Sequence, residues 1–182
     1  MTSPIDAATV KSFAPFAKLT SEEAALVAQL LEFQTLARGE TLFHQGDASD
    51  TIYLIISGDM QILLRVPDHD DHHLVTFGPG TIFGEVAPLA EEHRTATATA
   101  LTEVTLARLA WSALEKGLEN SERWAVKFLL HTAEILARRL RAVNNRFAAT
   151  LAKIDAKVVS APAHTEDELD SLRRRLLRDW SF

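Results

Sequence analysis

The chain has 182 residues, a formal net charge of -6 and no cysteine, and 47% of its residues are hydrophobic. This hydrophobic content predicts a folded domain, and the lack of cysteine excludes disulfides, thiolate catalysis and cysteine-ligated metals. The acidic charge argues against a general nucleic-acid binder, since phosphate neutralisation needs a basic face. No apolar run reaches the roughly 18 residues of a membrane span, so we expect a cytoplasmic protein without a membrane partner.

The N-terminal part, up to about Glu32, has a helical pattern. Thr20 and Glu23 have the spacing of a capping box, in which each side chain bonds the backbone N–H of the other residue. Apolar residues follow at helical spacing, so the sequence predicts a short amphipathic helix here.

Between Gly39 and Leu109 the pattern changes to short alternating or β-branched runs that are separated by glycine turns. Such runs are typical of half-buried strands. The predicted strands are residues 41–44, 51–56, 60–66, 73–77 and 103–109, with a further strand-like run at 95–100. Their spacing predicts a small antiparallel barrel or roll. The acidic and histidine residues at 68–73 are consecutive, which favours a solvated hairpin tip over a metal site.

A long helix is predicted from Ser121 to about Lys157, where neither glycine nor proline occurs. It would extend about 50 Å, too far to lie wholly on a small domain. Apolar residues recur in steps of four and three, a heptad pattern that predicts a parallel homodimer through residues 121–158. The members of this heptad row are Val126, Leu130, Ala133, Ala137, Leu140, Asn144, Phe147, Leu151, Ile154 and Val158. A second row, Leu129, Leu136 and Val143, is expected to pack on the chain's own barrel.

The remaining residues, 155–182, are predicted to form a linker and a C-terminal amphipathic helix, apart from a main domain at 1–154. Thr165 and Glu168 have capping-box spacing, and a basic stretch follows. This helix either folds back on the domain or docks a protein partner, and both possibilities stay open.

Residues 83–96 contain the candidate ligand-binding residues. Gly84 has no side chain, so it permits backbone conformations and close approaches to the backbone that other residues would prevent. Residues 85–89 are predicted to form one helical turn whose free N–H groups face an anion. Arg94 has the planar fork that suits phosphate, and Glu85 can accept hydrogen bonds from a sugar hydroxyl. Together they predict a phosphosugar site, the alternative being an ion pair that closes a hairpin. No motif of an enzyme accompanies them, which predicts binding rather than turnover.

Over about residues 12–154 the sequence resembles the cyclic nucleotide-binding domain family. The residues that carry the resemblance are Gly46-Asp47, Ser57-Gly58, Phe77-Gly78-Pro79-Gly80, Phe83-Gly84-Glu85 and Arg94-Thr95-Ala96. The resemblance implies an α+β fold: an antiparallel β-roll of the jelly-roll-like double-stranded β-helix type. N-terminal helices, a short phosphate-binding helix and a long C-terminal dimerisation helix accompany the roll.

The resemblance also implies the roles of single residues. Glu85 matches the family's ribose-binding glutamate, and Arg94 matches its phosphate-binding arginine. Thr95 matches a position at which a serine or threonine often contacts the base or the phosphate, and a threonine there is frequent in family members that bind cyclic GMP. Asn144 matches a contact to the purine. The implied ligand-binding residues are Phe83, Gly84, Glu85, Val86, Ala87, Arg94, Thr95, Ala96 and Asn144, without metal or cofactor. Pro88 and His93 depart from the family's pattern.

The function that follows is a stand-alone sensor of cyclic AMP or cyclic GMP. It would signal through its C-terminal helices to a protein partner, via residues 165–182. We expect no DNA partner, since the 28 residues after Ile154 are fewer than the about 60 of a winged helix-turn-helix. The alternatives are a ligand-independent scaffold with a degenerate pocket and a sensor of another phosphorylated ligand, such as a cyclic dinucleotide.

Overall fold

Short helices with local capping signals open the chain in the computed structural model. They are α1 (Ala7–Ser12), a 3-10 helix (Ala14–Phe16) and α2 (Ser21–Leu30). The hydroxyl of Thr20 accepts a hydrogen bond from the N–H of Glu23, and the Glu23 carboxylate accepts one from the N–H of Thr20. The predicted capping box is therefore confirmed, and α2 begins where the sequence placed it.

The structure describes residues 5–65 and 71–160, the last seven of these as backbone alone. Predictions for the tip at 68–70 and for the helix at 165–182 lie outside these residues. The chain divides into two units, residues 1–134 and residues 135–182. The domain boundary at residue 154 stays a prediction.

The first unit is built around eight strands within its described residues. They are β1 (Leu31–Leu36), β2 (Thr41–Phe43), β3 (Thr51–Ser57), β4 (Met60–Leu64), β5 (His72–Phe77), β6 (Ile82–Phe83), β7 (Thr97–Ala100) and β8 (Val104–Ala110). A short helix, α3 (Val86–Ala90), lies between β6 and β7. The strands form two antiparallel sheets, with the orders β1-β8-β3-β6 and β2-β7-β4-β5. The predicted α+β class with an antiparallel roll is confirmed.

One boundary was wrong: the helical pattern was extended to about Glu32, but β1 begins at Leu31. This strand pairs with β8 along its whole length, from Leu31 opposite Leu109 to Leu36 opposite Val104. A full ladder of backbone hydrogen bonds outweighs the weak helical preference of a few residues. The predictions also lacked β6, which has only two residues.

The core lies between the two sheets. β3 contributes Tyr53 and Ile55 from the first sheet, and β4 contributes Met60 from the second. The full cluster comprises Leu36, Tyr53, Ile55, Met60, Phe83, Ala98, Ala100, Val104 and Leu106. Because side chains alternate along a strand, Ile52 and Leu54 face the other side of the first sheet, where they are also completely buried. The roll is therefore packed on both faces of β3.

Two helices follow the roll, α4 (Trp111–Glu119) and α5 (Arg123–Ser160). Ser121 separates them with a left-handed backbone, φ 57°, so the long helix begins two residues later than predicted. Its length, 38 residues, agrees with the prediction of one uninterrupted helix.

The exposed side of α5 carries the predicted heptad row. Leu130 is 61% exposed and Leu140 is 56% exposed, and Asn144 is exposed as well. The expectation for the second row was wrong at Val143, which is 54% exposed. The buried residues of the helix lie near its start instead: Trp124, Ala125, Phe128 and Thr132. Within the described residues, no helix combines the length and the apolar composition that crossing a bilayer requires.

Candidate functional site

The segment after β6 forms the helical turn that the sequence predicts. α3 spans Val86–Ala90, with Glu85 at its N-cap and the N–H of Leu89 donating to the Glu85 carbonyl over 3.2 Å. The N–H groups of Val86 and Ala87 lie in the first turn, where a helix supplies no acceptor for them. Pro88 occupies the third position, whose N–H would also lack a helical acceptor, so the proline costs the helix no hydrogen bond.

Gly84, directly before α3, has a backbone conformation and surroundings that require glycine. Its φ is 78°, in the left-handed region that side chains disfavour. A Cβ atom here would lie 2.7 Å from Arg94 Nη1 and 3.2 Å from Tyr53 Cδ2. The missing side chain therefore makes the room that the guanidinium of Arg94 occupies.

The side chain of Arg94 is buried at this place, with 4% of the residue exposed. Its Nη1 donates to the carbonyl of Gly84 and its Nη2 donates to the carbonyl of Thr51, both over 2.8 Å. The guanidinium carbon lies 4.3 Å from the ring centroid of Phe43 and 5.4 Å from that of Tyr53. These contacts hold the guanidinium between two carbonyls and two aromatic faces.

One donor atom of Arg94 has no hydrogen-bond partner within the part of the chain that the structure describes. A guanidinium has five N–H donors, and the Nε of Arg94 has no hydrogen-bond partner among the described residues. Burial lowers the pKa of this guanidinium from its ordinary value, and it stays charged because arginine in proteins is not deprotonated. The site therefore contains a buried cation, next to the residue that precedes α3, whose Nε–H is not hydrogen-bonded by any described residue.

The backbone of Arg94 is fixed by the turn after β2. The N–H of Arg94 donates to the carbonyl of Asp47, and the N–H of Gly46 donates to the carbonyl of Arg94, both over 2.8 Å. The Asp47 carboxylate in turn accepts a bond from the N–H of His44. Gly46 and Asp47, which the sequence associated with the site, thus position the arginine through backbone hydrogen bonds.

Glu85 lies at the junction of Gly84 and α3, and it is 1% exposed. A buried carboxylate costs free energy unless it is hydrogen-bonded or paired. Glu85 lies in the same segment that Arg94 contacts through Gly84. The acceptor role that the sequence assigns to Glu85 stays a prediction.

The other predicted site residues occupy different surroundings. Phe83 is a core residue, 5.4 Å from Tyr53 between ring centroids. Ala87 and Ala96 are buried or nearly so, whereas Val86 and Thr95 are exposed. Asn144 is an exposed residue of the second unit. Contacts between these residues and a ligand stay predictions.

Sequence reasoning missed three residues that contact Arg94: Phe43, Thr51 and Tyr53. Phe43 and Tyr53 are half-buried or buried strand residues, which the alternation of strands predicts only as core. Thr51 contributes its backbone carbonyl, for which no side-chain signal exists. Within the described part of the chain, no group of three or more histidines and carboxylates could hold a metal ion.

Comparison with known proteins identifies the family and the fold. The model of the family described as "Cyclic nucleotide-binding domain" matches residues 33–121. A curated relative, the "CRP-like cAMP-activated global transcriptional regulator" of Mycobacterium tuberculosis, is 36% identical over 111 residues. That match covers 61% of this chain and 48% of the relative, so the chain spans about half the length of that relative.

Two solved structures are similar as well. The N-terminal domain of a transcriptional regulator from Streptomyces coelicolor has 34% identity and a TM-score of 0.62, over 76% of this chain and 94% of that one. A cyclic nucleotide-binding domain from Methylobacillus flagellatus has 23% identity and a TM-score of 0.71, over 79% and 80% of the two chains. The second likeness supports the fold alone.

Proposed function

Because this chain belongs to the cyclic nucleotide-binding domain family, we propose that it is a sensor that binds a cyclic nucleotide beside α3. The observation that carries the proposal is Arg94. It is a buried guanidinium whose Nε–H has no hydrogen-bond partner among the described residues, and it is held against Gly84 at the start of a short helix. A cyclic phosphate carries one negative charge and several acceptor oxygens, which complement such a site.

In the proposed complex the cyclic phosphate accepts hydrogen bonds from Arg94 and from the N–H groups of Val86 and Ala87. Glu85 accepts a hydrogen bond from the ribose hydroxyl. The burial of Arg94 strengthens its attraction for the phosphate, since the charge is weakly screened by water. This local attraction is needed because the whole chain carries a charge of -6, which disfavours an anion.

The base preference is proposed from two observations of different kinds. The relative from Mycobacterium tuberculosis is described as cAMP-activated, which favours cyclic AMP as the first ligand to test. Thr95 is exposed directly after Arg94, where the family resemblance associates a threonine with cyclic GMP. Asn144 is the proposed contact to the purine. We propose binding without turnover, so the nucleotide should be recovered unchanged.

The proposed output runs through α5. Leu130 and Leu140 are large apolar side chains exposed on one heptad row, with Asn144 in the same row. A second copy of this helix would bury the row, and a polar residue within it would fix the register of a parallel pair. A nucleotide that favours one arrangement of the paired helices shifts the population toward it. A protein partner, proposed to bind via residues 165–182, would read this change.

Calorimetric titration with cyclic AMP and with cyclic GMP tests the proposal. We expect saturable binding of one nucleotide per chain, and a loss of affinity of at least about tenfold in Arg94→Lys. A lysine has one ammonium and cannot donate to both carbonyls and a phosphate in the same plane. Arg65→Lys is the matched control, because Arg65 is an exposed arginine whose side chain is 67% accessible. The absence of binding with both nucleotides would refute the proposal.

A further inference from the structure

A cavity of about 280 Å³ lies in the first unit, lined in part by the segment between α3 and Arg94. Three stretches of chain and one helix start form its walls: the turn before β3, α3, the residues after α3 and the first residue of α4. The lining residues are Ala48, Ser49, Pro88, Glu91, Glu92, His93 and Trp111. No lysine or arginine lines it.

Backbone hydrogen bonds fix the walls of this cavity. The N–H of Trp111 donates to the carbonyl of Asp50 over 2.7 Å, which ties α4 to the turn before β3. The N–H of Glu92 donates to the carbonyl of Ala87 over 2.9 Å, which ties the loop after α3 back to the helix. The indole Nε1 of Trp111 donates to the carboxylate of Glu115 over 2.8 Å, and this bond orients the ring. The cavity is thus a formed feature of the fold.

Its polar groups are suited to a cation. Glu91 and Glu92 are exposed carboxylates, and neither forms an ion pair within the described residues. The hydroxyl oxygen of Ser49 is buried and has no hydrogen-bond partner among the same residues. The indole of Trp111 adds an aromatic surface, and among aromatic side chains tryptophan attracts cations best. The lining thus combines two glutamates, a serine with an unpaired hydroxyl, a tryptophan and His93, and among the described residues it includes no lysine or arginine.

We propose that this cavity, here called the Trp111 pocket, receives an arginine side chain of a protein partner. A guanidinium is planar, so it can stack on the indole while its N–H groups point at the carboxylates of Glu91 and Glu92. Arginine fits better than lysine because an ammonium is a compact, strongly hydrated charge that lacks this planar fork. The overall charge of -6 also favours the approach of a basic partner.

The Trp111 pocket shares its walls with the proposed nucleotide site. Pro88 belongs to α3, and His93 directly precedes Arg94, whose backbone is bonded to Asp47. A nucleotide that repositions Arg94 or α3 would therefore change the pocket, and by reciprocity an occupied pocket would change nucleotide affinity. This coupling rests on the proposed function, whereas binding of arginine in the pocket does not.

The test uses the full chain and two tripeptides, N-acetyl-glycyl-arginyl-glycine amide and the same peptide with citrulline in place of arginine. Citrulline has nearly the same shape as arginine and carries no charge. Binding is followed by NMR through the indole N–H resonance of Trp111, which is identified by its absence in Trp111→Phe. We expect the arginine peptide to shift this resonance saturably and to bind at least about tenfold more tightly than the citrulline peptide.

The double variant Glu91→Gln with Glu92→Gln is expected to lower the affinity for the arginine peptide at least about tenfold. Glu119→Gln removes one exposed carboxylate outside the cavity and should leave that affinity unchanged. Equal binding of the two peptides, or no shift of the Trp111 resonance, would overturn the proposal. The peptide pair tests the unaltered protein, so the result does not depend on how the variants fold.

Repeating the titration with cyclic AMP bound tests the coupling alone. A change in peptide affinity supports it, and an unchanged affinity overturns it. If the peptide binds while no nucleotide does, the proposed function fails and the Trp111 pocket remains.

Discussion

Replacing Gly84 by alanine tests whether the backbone before α3 positions the guanidinium of Arg94. The new Cβ would lie 2.7 Å from Arg94 Nη1 and 3.2 Å from Tyr53 Cδ2, so the guanidinium must move. It can move only by giving up its bond to the Gly84 carbonyl or its place over Phe43. Gly84→Ala should therefore impair both stability and nucleotide binding.

Gly39→Ala is the matched control. Gly39 has φ 84°, close to the 78° of Gly84, and a Cβ there would meet nothing within 4 Å. Each variant places a side chain in the left-handed region, at a cost of about 1–2 kcal/mol. Gly84→Ala additionally loses a hydrogen bond from a charged group, about 1.5–3 kcal/mol. This second amount is the expected difference between the two variants.

Urea unfolding measures the stability difference, and calorimetry with cyclic AMP measures binding. Gly39→Ala should bind as the unaltered protein does, whereas Gly84→Ala should bind at least about tenfold more weakly, equivalent to about 1.4 kcal/mol. Equal stabilities and equal affinities of the two variants would show that Gly84 does not position Arg94.

Further predictions concern the roll, the helices and the dimer. Gly58→Ala should destabilise the protein by about 3–5 kcal/mol in urea unfolding, because its Cβ would lie 2.1 Å from a backbone carbonyl oxygen, that of Glu103. Lys127→Met should destabilise the protein by about 1–3 kcal/mol at pH 7 by removing the partner of Glu23, 2.6 Å away. The Lys127 hydrogen bond holds the pKa of Glu23 below its usual 4.5, so the deficit of Lys127→Met should be complete above that pH and vanish as the pH falls through the lowered value. If the proposed dimer forms through α5, Leu140→Glu should convert it to a monomer in sedimentation experiments, with retained helicity, since this side chain is 56% exposed within one chain.

Each of these predictions has a control of the same chemistry. Gly46→Ala also puts alanine at a positive φ, 92°, but in open space, so it should cost much less than Gly58→Ala. Glu22→Gln removes an exposed carboxylate beside Glu23 and should leave the pH profile unchanged. Ala142→Glu adds the same charge as Leu140→Glu two positions away, outside the heptad row, and should remain dimeric. If a control variant had a larger effect than the variant it is paired with, the contact on which that prediction rests would be refuted.

The sequence predicted those helices whose ends are determined by residues close together in the chain. The capping box of Thr20 and Glu23 fixed the start of α2 because both hydrogen bonds lie within four residues. The short helix after Gly84 was also predicted, since the glycine and the following residues define it together. The β1 strand was missed because α2 runs into it at Leu31 without glycine, proline or any other turn residue to mark the change.

Long-range contacts could not be predicted. Thr51 contacts Arg94 through its carbonyl, 43 residues apart in sequence, and Phe43 reaches the guanidinium from the other sheet. Both contacts depend on the curvature of two paired sheets, which alternation along a strand does not encode. Sequence reasoning therefore identified Arg94 and Glu85 as chemistry but not the rings and carbonyls that hold the arginine.

The most direct measurement follows the Nε–H of Arg94 by NMR while cyclic AMP, and in a second titration cyclic GMP, is added, with Arg94→Lys used to assign the resonance. This donor has no hydrogen-bond partner among the described residues. If the cyclic phosphate binds here, the resonance should move downfield and saturate at one nucleotide per chain, because the donor gains a charged acceptor. A resonance that moves with neither cyclic AMP nor cyclic GMP would contradict the account.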